Sequence, residues 1–210
     1  MYKKVIKRIL DFIISFSGLI LLSPVFLILI ILGAVFMRGN PFFTQKRPGK
    51  DEQIFNLIKF RTMDNRTDQN GKLLPDHLRL NRYGRFLRKT SLDELPELIN
   101  IVKGDMSLIG PRPLLIEYLP WYNSVEKHRH DVRPGLTGWA QVNGRNCLEW
   151  DKRFQLDVEY VRKLSFSMDV KIFFMTIKKV LCKSDIAENT NNVEGNFARI
   201  RKAQIENKGE

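Results

Sequence analysis

Two adjacent carboxylates, Asp93 and Glu94, are the side chains of this sequence best suited to catalysis. Beside a phosphate ester, one carboxylate can attack phosphorus while the other holds a metal ion or positions a proton. The same residues also fit a helix start, because Ser91 and Thr90 each precede an acid by three positions, as in a capping box. Pro96 complicates that helix, because proline disfavours helical geometry at the residue before it. From the local sequence, both interpretations stay open.

Positive charge near this pair is required, because two anions cannot approach a phosphorylated substrate without compensation. Mg²⁺ and arginines are the usual sources. Arg112 lies between two prolines and is a candidate bidentate phosphate ligand, although a Pro-Arg-Pro sequence can also serve only to shape a rigid turn. Arg133 and Arg145 flank a glycine-rich segment and could also reach a phosphate. Its glycines predict either a loop whose backbone approaches a ligand or ordinary turns.

A small β-hairpin is predicted to present further cations. The segment 54–63 predicts a strand with Lys59 and Arg61 on one face. Residues 42–45 can pair with that strand, because Pro48-Gly49 supplies a turn between them. Arginines then recur at every third position, which predicts one stripe on a helix, and exposure to solvent or anionic lipid is the expected role of three of the four. They are Arg79, Arg82, Arg85 and Arg88.

The element that must position this chemistry is a long apolar segment near the N-terminus. No charge occurs from Phe12 to Met37, a stretch longer than the about 20 apolar residues that a helix needs to cross a bilayer. Pro24 predicts a kink near its middle, because the proline ring leaves the carbonyl of Ile20 without its helical donor. The hydroxyl of Ser23 can bond a freed backbone group there.

Basic residues on both sides of the apolar segment indicate its orientation. They are Lys3, Lys4, Lys7 and Arg8 before it, and Arg38, Lys46, Arg47 and Lys50 after it. Because basic residues prefer the cytoplasmic side, a helix that enters, bends at Ser23-Pro24 and returns keeps both clusters there. We favour this re-entrant arrangement over a kinked single span. A cleaved signal peptide fits poorly, since no small-x-small site follows.

The rest of the chain predicts one domain of ordinary size. Its net charge of +12 fits an anionic membrane surface, a phosphate-bearing substrate or nucleic acid. The two cysteines have no zinc spacing and no disulfide framework, and neither GxGxxG nor GxxxxGK[ST] occurs. The segments 148–164 and 168–181 predict helices with broad apolar faces, which either pack in the core or lie in a membrane interface. From Ser184 the chain is polar.

Taken together, these motifs resemble the bacterial sugar transferases, also called small monotopic phosphoglycosyl transferases. The resemblance covers roughly residues 1 to 182 in the family's order. It implies an α+β fold, mostly helical, with an N-terminal kinked re-entrant membrane helix, a small β-hairpin and amphipathic interfacial helices around a compact cytoplasmic domain. The expected divisions are 1–39 for the membrane helix, 40–183 for the catalytic domain and 184–210 for a polar tail. The motifs are Ser23-Pro24, 59–63, 88–96, 104–113 and 133–146.

The resemblance implies transfer of a sugar 1-phosphate from a UDP-sugar to polyprenol phosphate, with UMP released and Mg²⁺ required. Asp93 is then the nucleophile that forms a covalent phosphosugar-aspartate, and Glu94 helps to hold Mg²⁺ or to orient the acceptor. The expected phosphate and nucleotide contacts are Lys59, Arg88, Arg112 and Arg145, with Asp157 as a supporting polar residue. The compact length is most similar to members that transfer diacetylbacillosamine phosphate.

The expected location is the cytoplasmic face of the bacterial inner membrane, in contact with phospholipids, and the resemblance gives no role to nucleic acid. Two alternatives remain at this point. A membrane-tethered basic module that binds nucleic acid or anionic lipid would explain the charge and the anchor, but not the acidic pair. A one-step transferase without a covalent intermediate is closer. The sequence itself fixes neither the sugar nor the oligomeric state.

Overall fold

The apolar N-terminal segment forms two helices that meet at an angle. In the computed structural model, which describes residues 1–144, 148–181 and 197–206, a π-helical turn leads into α1 (Lys7–Leu21), and α2 (Ser23–Phe36) follows after one residue. The Ser23 hydroxyl donates to the carbonyl oxygen of Ile20 at 2.7 Å, which confirms the bond predicted around Pro24. No single helix of the described residues has the length and composition to cross a bilayer, whereas the two together do, with a bend of 64°.

The base of α1 is fastened to the rest of the domain, which the basic pattern did not predict. Lys7 is buried and pairs with Asp169 at 2.8 Å. Arg8 donates to the carbonyl oxygens of Ile101 and Val102 at 2.5 and 2.8 Å. Lys3 Nζ also donates to the carbonyl oxygen of Val161 at 3.3 Å. Three of the four residues of the first basic cluster therefore bind protein groups.

The predicted β-hairpin is confirmed. Strand β1 (Phe42–Pro48) pairs antiparallel with β2 (Ile54–Phe60), and Phe42 lies opposite Phe60. The connection contains a short 3-10 turn, Lys50–Glu52. Phe60 is 2 % exposed and packs with α2, so that the hairpin is joined to the bent helix pair. Lys59 is thereby held at the end of β2.

The arginine stripe is not continuous, so the prediction of a single helix there was wrong. Helix α3 (Asp76–Arg79) ends before α4 (Arg82–Thr90), which begins with the Asn81 side chain accepting from the Gly84 amide. That polar cap, together with the extended backbone at Leu80 and Asn81, separates the two helices. A Cβ at Gly84 would lie 1.8 Å from the carbonyl oxygen of Thr62, so glycine is required for the close approach of α4 to the end of the hairpin.

A parallel strand pair forms the centre of the domain. Helix α5 (Glu97–Lys103) leads to β3 (Ser107–Ile109), which pairs with β4 (Gly135–Thr137), and α6 (Trp139–Gly144) follows. A Cβ at Gly135 would lie 2.1 Å from the Gly110 amide nitrogen. This glycine serves backbone packing between two segments, which favours the structural interpretation of the glycine-rich segment over a ligand loop.

Two long helices complete the domain, close to the predicted ranges. They are α7 (Trp150–Lys163) and α8 (Phe166–Leu181). One face of α8 buries Ile172, whereas Phe173 and Phe174 are exposed. A last helix, α9 (Phe197–Glu206), inserts Phe197 into a cluster that includes Tyr122 and Phe154. Part of the tail predicted to be polar is therefore packed against the domain. The mixed, mostly helical fold class is confirmed, whereas membrane insertion stays a prediction.

Candidate active site

A cavity of about 980 Å³ collects most of the residues predicted to do chemistry. The hairpin, the end of α4, the segment before α5 and helices α7 and α8 contribute to its walls. Among the charged side chains of the wall, cations outnumber carboxylates. Its cations are Arg47, Lys59, Arg61, Arg79, Arg88, Arg112, Arg153 and Lys179, and its carboxylates are Asp76, Asp93, Glu94 and Asp157.

Asp93 and Glu94 lie in a 3-10 turn, Leu92–Glu94, between α4 and α5. The predicted capping box is absent, because Ser91 makes no side-chain cap bond and adopts a left-handed conformation with φ of 56°. Leu95 is helical despite the proline that follows, with φ of −54°, and α5 itself starts only after Pro96. The prediction of non-helical geometry before the proline was therefore wrong, and the acidic pair ends a tight reversal of the chain.

Glu94 is the centre of an ion-pair network. Its Oε1 accepts from Lys59 Nζ at 2.8 Å and from Arg112 Nη2 at 2.7 Å. Burial alone would raise the pKa of Glu94, but the adjacent Arg112 and Lys59 outweigh it and hold that pKa well below its usual range. Glu94 is therefore a fixed anion, and its interactions orient two of the predicted phosphate ligands.

Asp93 differs from its neighbour although both line the same cavity. Among the described residues, nothing donates a hydrogen bond to the Asp93 carboxylate and no cation forms an ion pair with it. Burial and the Glu94 charge raise the pKa of Asp93 to about 6, against the opposing charge of Lys59. The carboxylate is thus free to meet a substrate and is mostly ionised at neutral pH.

Glu97 belongs to the same network and was not identified from the sequence. It is 2 % exposed, and its Oε1 lies 3.1 Å from Lys59 Nζ. Burial raises the pKa of Glu97 to about 7, with Lys59 opposing the shift. The spacing offered a signal, because Glu97 follows Glu94 by three residues and shares its side of the turn and helix.

Arg88 enters the cavity from α4. Its Nε donates to the Thr62 hydroxyl at 3.1 Å, which fixes the guanidinium near the end of the hairpin. The charge of Arg88 also lowers the pKa of Asp93, although less than burial raises it. Arg88 therefore lines the same cavity as Asp93, and its role as a phosphate or nucleotide contact stays a prediction.

Asp157 contacts the site indirectly, through Arg129, a residue that was not identified from the sequence. Its Oδ2 accepts from Arg129 Nε at 3.1 Å and from Arg129 Nη2 at 2.9 Å, and both side chains are almost fully buried. The same Nη2 donates to the backbone carbonyl of Arg112 at 2.7 Å. Arg129 thus connects Asp157 to the Pro-Arg-Pro turn. No local pattern marks Arg129, because its role depends on partners distant in sequence.

Two other predicted phosphate ligands have different outcomes. Arg145 lies outside the described residues, so its assignment stays a prediction. Arg133 donates through Nε to the carbonyl oxygen of Gly104 at 2.7 Å and is not part of the cavity wall. The expectation that Arg133 reaches phosphate is not supported by this position, because its guanidinium satisfies the end of α5.

The residues present can accommodate Mg²⁺ only with help from a substrate. Within the described parts of the chain, no group of three or more His, Cys, Asp or Glu side chains converges. Mg²⁺ commonly takes only one or two protein carboxylates and completes its shell with phosphate oxygens and water. The unpaired Asp93 carboxylate fits such a role, whereas Glu94 Oε1 is already shared by two cations.

An ionised carboxylate without a partner, surrounded by cations in a large cavity, can carry out nucleophilic attack at a phosphorylated carbon or phosphorus centre. The fixed anion beside it keeps Lys59 and Arg112 in place. This arrangement defines a candidate group-transfer site for an anionic substrate.

Comparisons with known proteins agree with this class. The bacterial sugar transferase family matches residues 2–183 of the sequence, and the chain belongs to this family. The uncharacterized sugar transferase EpsL of Bacillus subtilis is 47% identical over 189 residues, which cover 90% of this chain and 93% of EpsL.

Longer relatives share only their matching part with this chain. The UDP-glucose:undecaprenyl-phosphate glucose-1-phosphate transferase of Escherichia coli is 37% identical over 188 residues, which cover 84% of this chain and 40% of that protein. The galactosyl transferase CpsE of Streptococcus agalactiae is 37% identical over 190 residues, covering 83% of this chain and 42% of CpsE. Against such relatives, the chain spans about two fifths of their length.

Proposed function

We propose that this protein transfers a sugar 1-phosphate from a UDP-sugar to a polyprenol phosphate, such as undecaprenyl phosphate, and releases UMP. The observation that carries the proposal is the unpaired Asp93 carboxylate beside a Glu94 that is held by Lys59 and Arg112. The excess of cations in the cavity suits two phosphate-bearing substrates. The Escherichia coli relative, by its name, transfers glucose 1-phosphate to the same kind of lipid.

Asp93 is the nucleophile of the proposed reaction. A carboxylate oxygen forms a bond to the phosphorus that carries the sugar, and the bond from that phosphorus to the bridging oxygen breaks, so that UMP leaves with the electron pair. An oxygen of the lipid phosphate then attacks the same phosphorus, and the bond to Asp93 breaks. The carboxylate is regenerated and no net proton is consumed.

Cations around Asp93 stabilise the charge that develops during both steps. Lys59 and Arg112 are oriented by Glu94 and present their remaining donors to the cavity. Arg88 is held beside the end of the hairpin by its hydrogen bond to the Thr62 hydroxyl. Mg²⁺, held by Asp93 and substrate phosphates with Glu94 nearby, would supply further neutralisation of phosphate charge.

Membrane attachment through the bent helix pair completes the proposal. The two helices expose many apolar side chains, among them Ile20, Leu21, Leu27 and Val35. Both ends of a pair bent at Ser23-Pro24 remain on one side of the bilayer, so that the cavity stays at the membrane surface on the cytoplasmic face. The exposed Phe173 and Phe174 of α8 suit the same interface.

The sugar is the least constrained part of the proposal, and UDP-N,N'-diacetylbacillosamine is our first candidate. The direct test is UMP release by the purified protein with Mg²⁺, polyprenol phosphate and a panel of UDP-sugars. One UDP-sugar is expected to support turnover that EDTA abolishes. Absence of UMP release across the panel would contradict the transferase function.

A second measurement separates the two-step reaction from direct transfer. Incubation with the preferred UDP-sugar, but without lipid acceptor, is expected to release about one UMP per protein and to add the mass of the phosphosugar to the chain. Intact-protein mass spectrometry reads this adduct, and polyprenol phosphate should remove it. Strict dependence of the first UMP on the acceptor would favour the one-step alternative.

A further inference from the structure

Arg61 and Arg79 of the cavity wall form no ion pair with a carboxylate of the described residues. Arg61 follows β2, and Arg79 ends α3. Within the described residues, Arg61 Nη2 makes only a 3.3 Å bond to the carbonyl oxygen of Phe42, and Arg79 Nη2 lies 3.6 Å from the sulfur of Met63. These are weak contacts for two charged groups that face a cavity.

The Nε atoms of both arginines are buried without a hydrogen-bond acceptor in the described part of the chain. An unsatisfied buried donor is costly, and one on a charged group more so, hence native proteins rarely leave one. A group with several anionic oxygens satisfies a guanidinium better than water does. A ligand with anionic oxygens could therefore supply the hydrogen-bond acceptor that these two Nε atoms lack.

Around Asp93, in contrast, the neighbouring cations Lys59 and Arg112 are already paired with carboxylates. Lys59 is paired with both Glu94 and Glu97, and Arg112 is paired with Glu94. Arg61 and Arg79 are held close to one another in the fold, because Arg79 contacts Met63, two residues after Arg61, and its carbonyl accepts from the next amide, that of Asp64, at 3.2 Å. The nearest acid there is Asp64, whose pKa is lowered by Arg66 and by the charge of Arg79, but its carboxylate forms its ion pair with Arg66. The guanidinium groups of Arg61 and Arg79 thus remain available on the segment after the hairpin.

We propose that Arg61 and Arg79 form a second anion subsite, which binds a phosphate group other than the one that Asp93 attacks. This inference rests on the proposed function, which brings two phosphate-bearing molecules to the cavity. Both sources share the same chemistry: the phosphate of the departing nucleotide and the phosphate of the lipid acceptor. In either case the phosphate would bind arginines that form no ion pair with Glu94.

The test compares Arg61→Gln and Arg79→Gln with Arg82→Gln in the full-length protein. Arg82 is an exposed arginine three residues after Arg79, outside the cavity wall, so that its substitution removes the same charge without touching the subsite. Titration calorimetry with UMP is one arm, and titration with farnesyl phosphate, a short polyprenol phosphate, is the other. Loss of a charge-assisted phosphate contact should weaken binding by about tenfold or more.

Weaker UMP binding alone assigns the subsite to the nucleotide, and weaker farnesyl phosphate binding alone assigns it to the acceptor. Unchanged affinity for both ligands, or an equal loss in Arg82→Gln, overturns the proposal. Arg61→Lys and Arg79→Lys, which keep the charge but lack Nε, serve if a glutamine variant fails to fold, and unchanged affinity in these variants counts against the subsite as well. Because both arms measure binding, they read the subsite even if no UDP-sugar is turned over.

Discussion

Two buried ionic networks in this protein differ in one respect, the number of carboxylate oxygens left without a donor. The anchor network, Tyr2, Lys7, Asp11, Tyr160 and Asp169, fastens α1 to the domain. The cavity network, Lys59, Asp93, Glu94, Glu97 and Arg112, lines the candidate active site. Both contain lysine and several acids, yet their chemistry is different.

Every carboxylate oxygen of the anchor network has a donor. Asp169 accepts from Tyr2 at 2.6 Å, Lys7 at 2.8 Å and Tyr160 at 2.8 Å. Asp11 accepts from the Ser107 hydroxyl at 2.7 Å and the Leu108 amide at 3.1 Å. A network satisfied in this way has no capacity left for a ligand, so that its role is structural.

The cavity network leaves one carboxylate without a donor among the described residues. Glu94 takes both cations, and Asp93 receives neither. The comparison teaches that the reactive group is recognised by missing partners rather than by burial or charge alone. Keeping an ionised carboxylate partly buried and unpaired costs stability.

The largest expected effect comes from Asp93→Asn, which removes the nucleophile but keeps the shape. Turnover should fall by about 10³-fold or more, because the covalent step is lost. Thermal stability should instead rise above that of the wild type by the equivalent of about 1 to 3 kcal/mol at pH 7, since a neutral amide avoids the unfavourable ionisation. UMP release and thermal unfolding by circular dichroism measure the two effects.

Asp51→Asn is the matched control for this change, because Asp51 is an exposed acid outside the cavity.

The stability gain of Asp93→Asn should also depend on pH, in a direction that follows from the raised pKa of Asp93. With a pKa of about 6 in the folded protein and 3.8 as the usual value, the stability gain of Asp93→Asn should grow between pH 4 and 6 and stay constant above that range. Substantial turnover by a folded Asp93→Asn protein would exclude Asp93 as the nucleophile.

A second comparison removes one carboxylate from each network. Asp169→Asn removes the closer of the two carboxylates paired with the buried Lys7, because Asp11 lies at 3.9 Å and Asp169 at 2.8 Å. It should destabilise the fold by about 3 kcal/mol. Glu94→Gln should cost less stability, because the side chain of Arg112 is 42% exposed and remains partly solvated. Thermal unfolding of both variants in the same detergent tests this order, and an equal loss would contradict the distinction between the networks.

Asp157→Asn tests whether the ion pair between Asp157 and Arg129 affects activity by positioning the backbone of Arg112. Measured below its unfolding temperature, this variant should lose about tenfold in kcat/KM, because Arg129 no longer fixes the Arg112 backbone. Asp169→Asn, which also breaks a buried pair, should retain its specific activity per folded molecule. Combined with Arg112→Ala, the Asp157 substitution should have little further effect on kcat/KM, and full additivity would refute the connection.

The smallest expected effect is a shift of the acidic limb of the pH profile in Glu94→Gln. Activity should fall about tenfold for each pH unit below about 6, as the Asp93 carboxylate becomes protonated. In Glu94→Gln, the residual activity should keep this acidic limb but at lower pH, because the neighbouring charge that raises the Asp93 pKa is gone. A limb that does not move in this variant would assign the ionisation to another group, such as Glu97.

Much of the fold could be predicted because it depends on local pattern. The hairpin follows from alternating residues around a Pro-Gly turn, and α7 and α8 from helical periodicity. The break at Ser23-Pro24 follows from the missing proline amide, and the Ser23 bond to Ile20 was expected for the same reason. The arginine repeat misled because Asn81 caps a new helix within it.

The sequence, through its resemblance to a known family, predicted residues that line the cavity. They are Lys59, Arg88, Asp93, Glu94, Arg112 and Asp157. Only the tertiary structure decided their states. Whether a carboxylate is paired depends on cations that arrive from distant elements, as Lys59 does from β2 and Arg112 from the turn after β3. The same is true of Arg129, whose role arises from contacts across the fold and has no local signature. The spacing of Glu97 from Glu94 is a local signal, but its pairing with Lys59 depends on the fold.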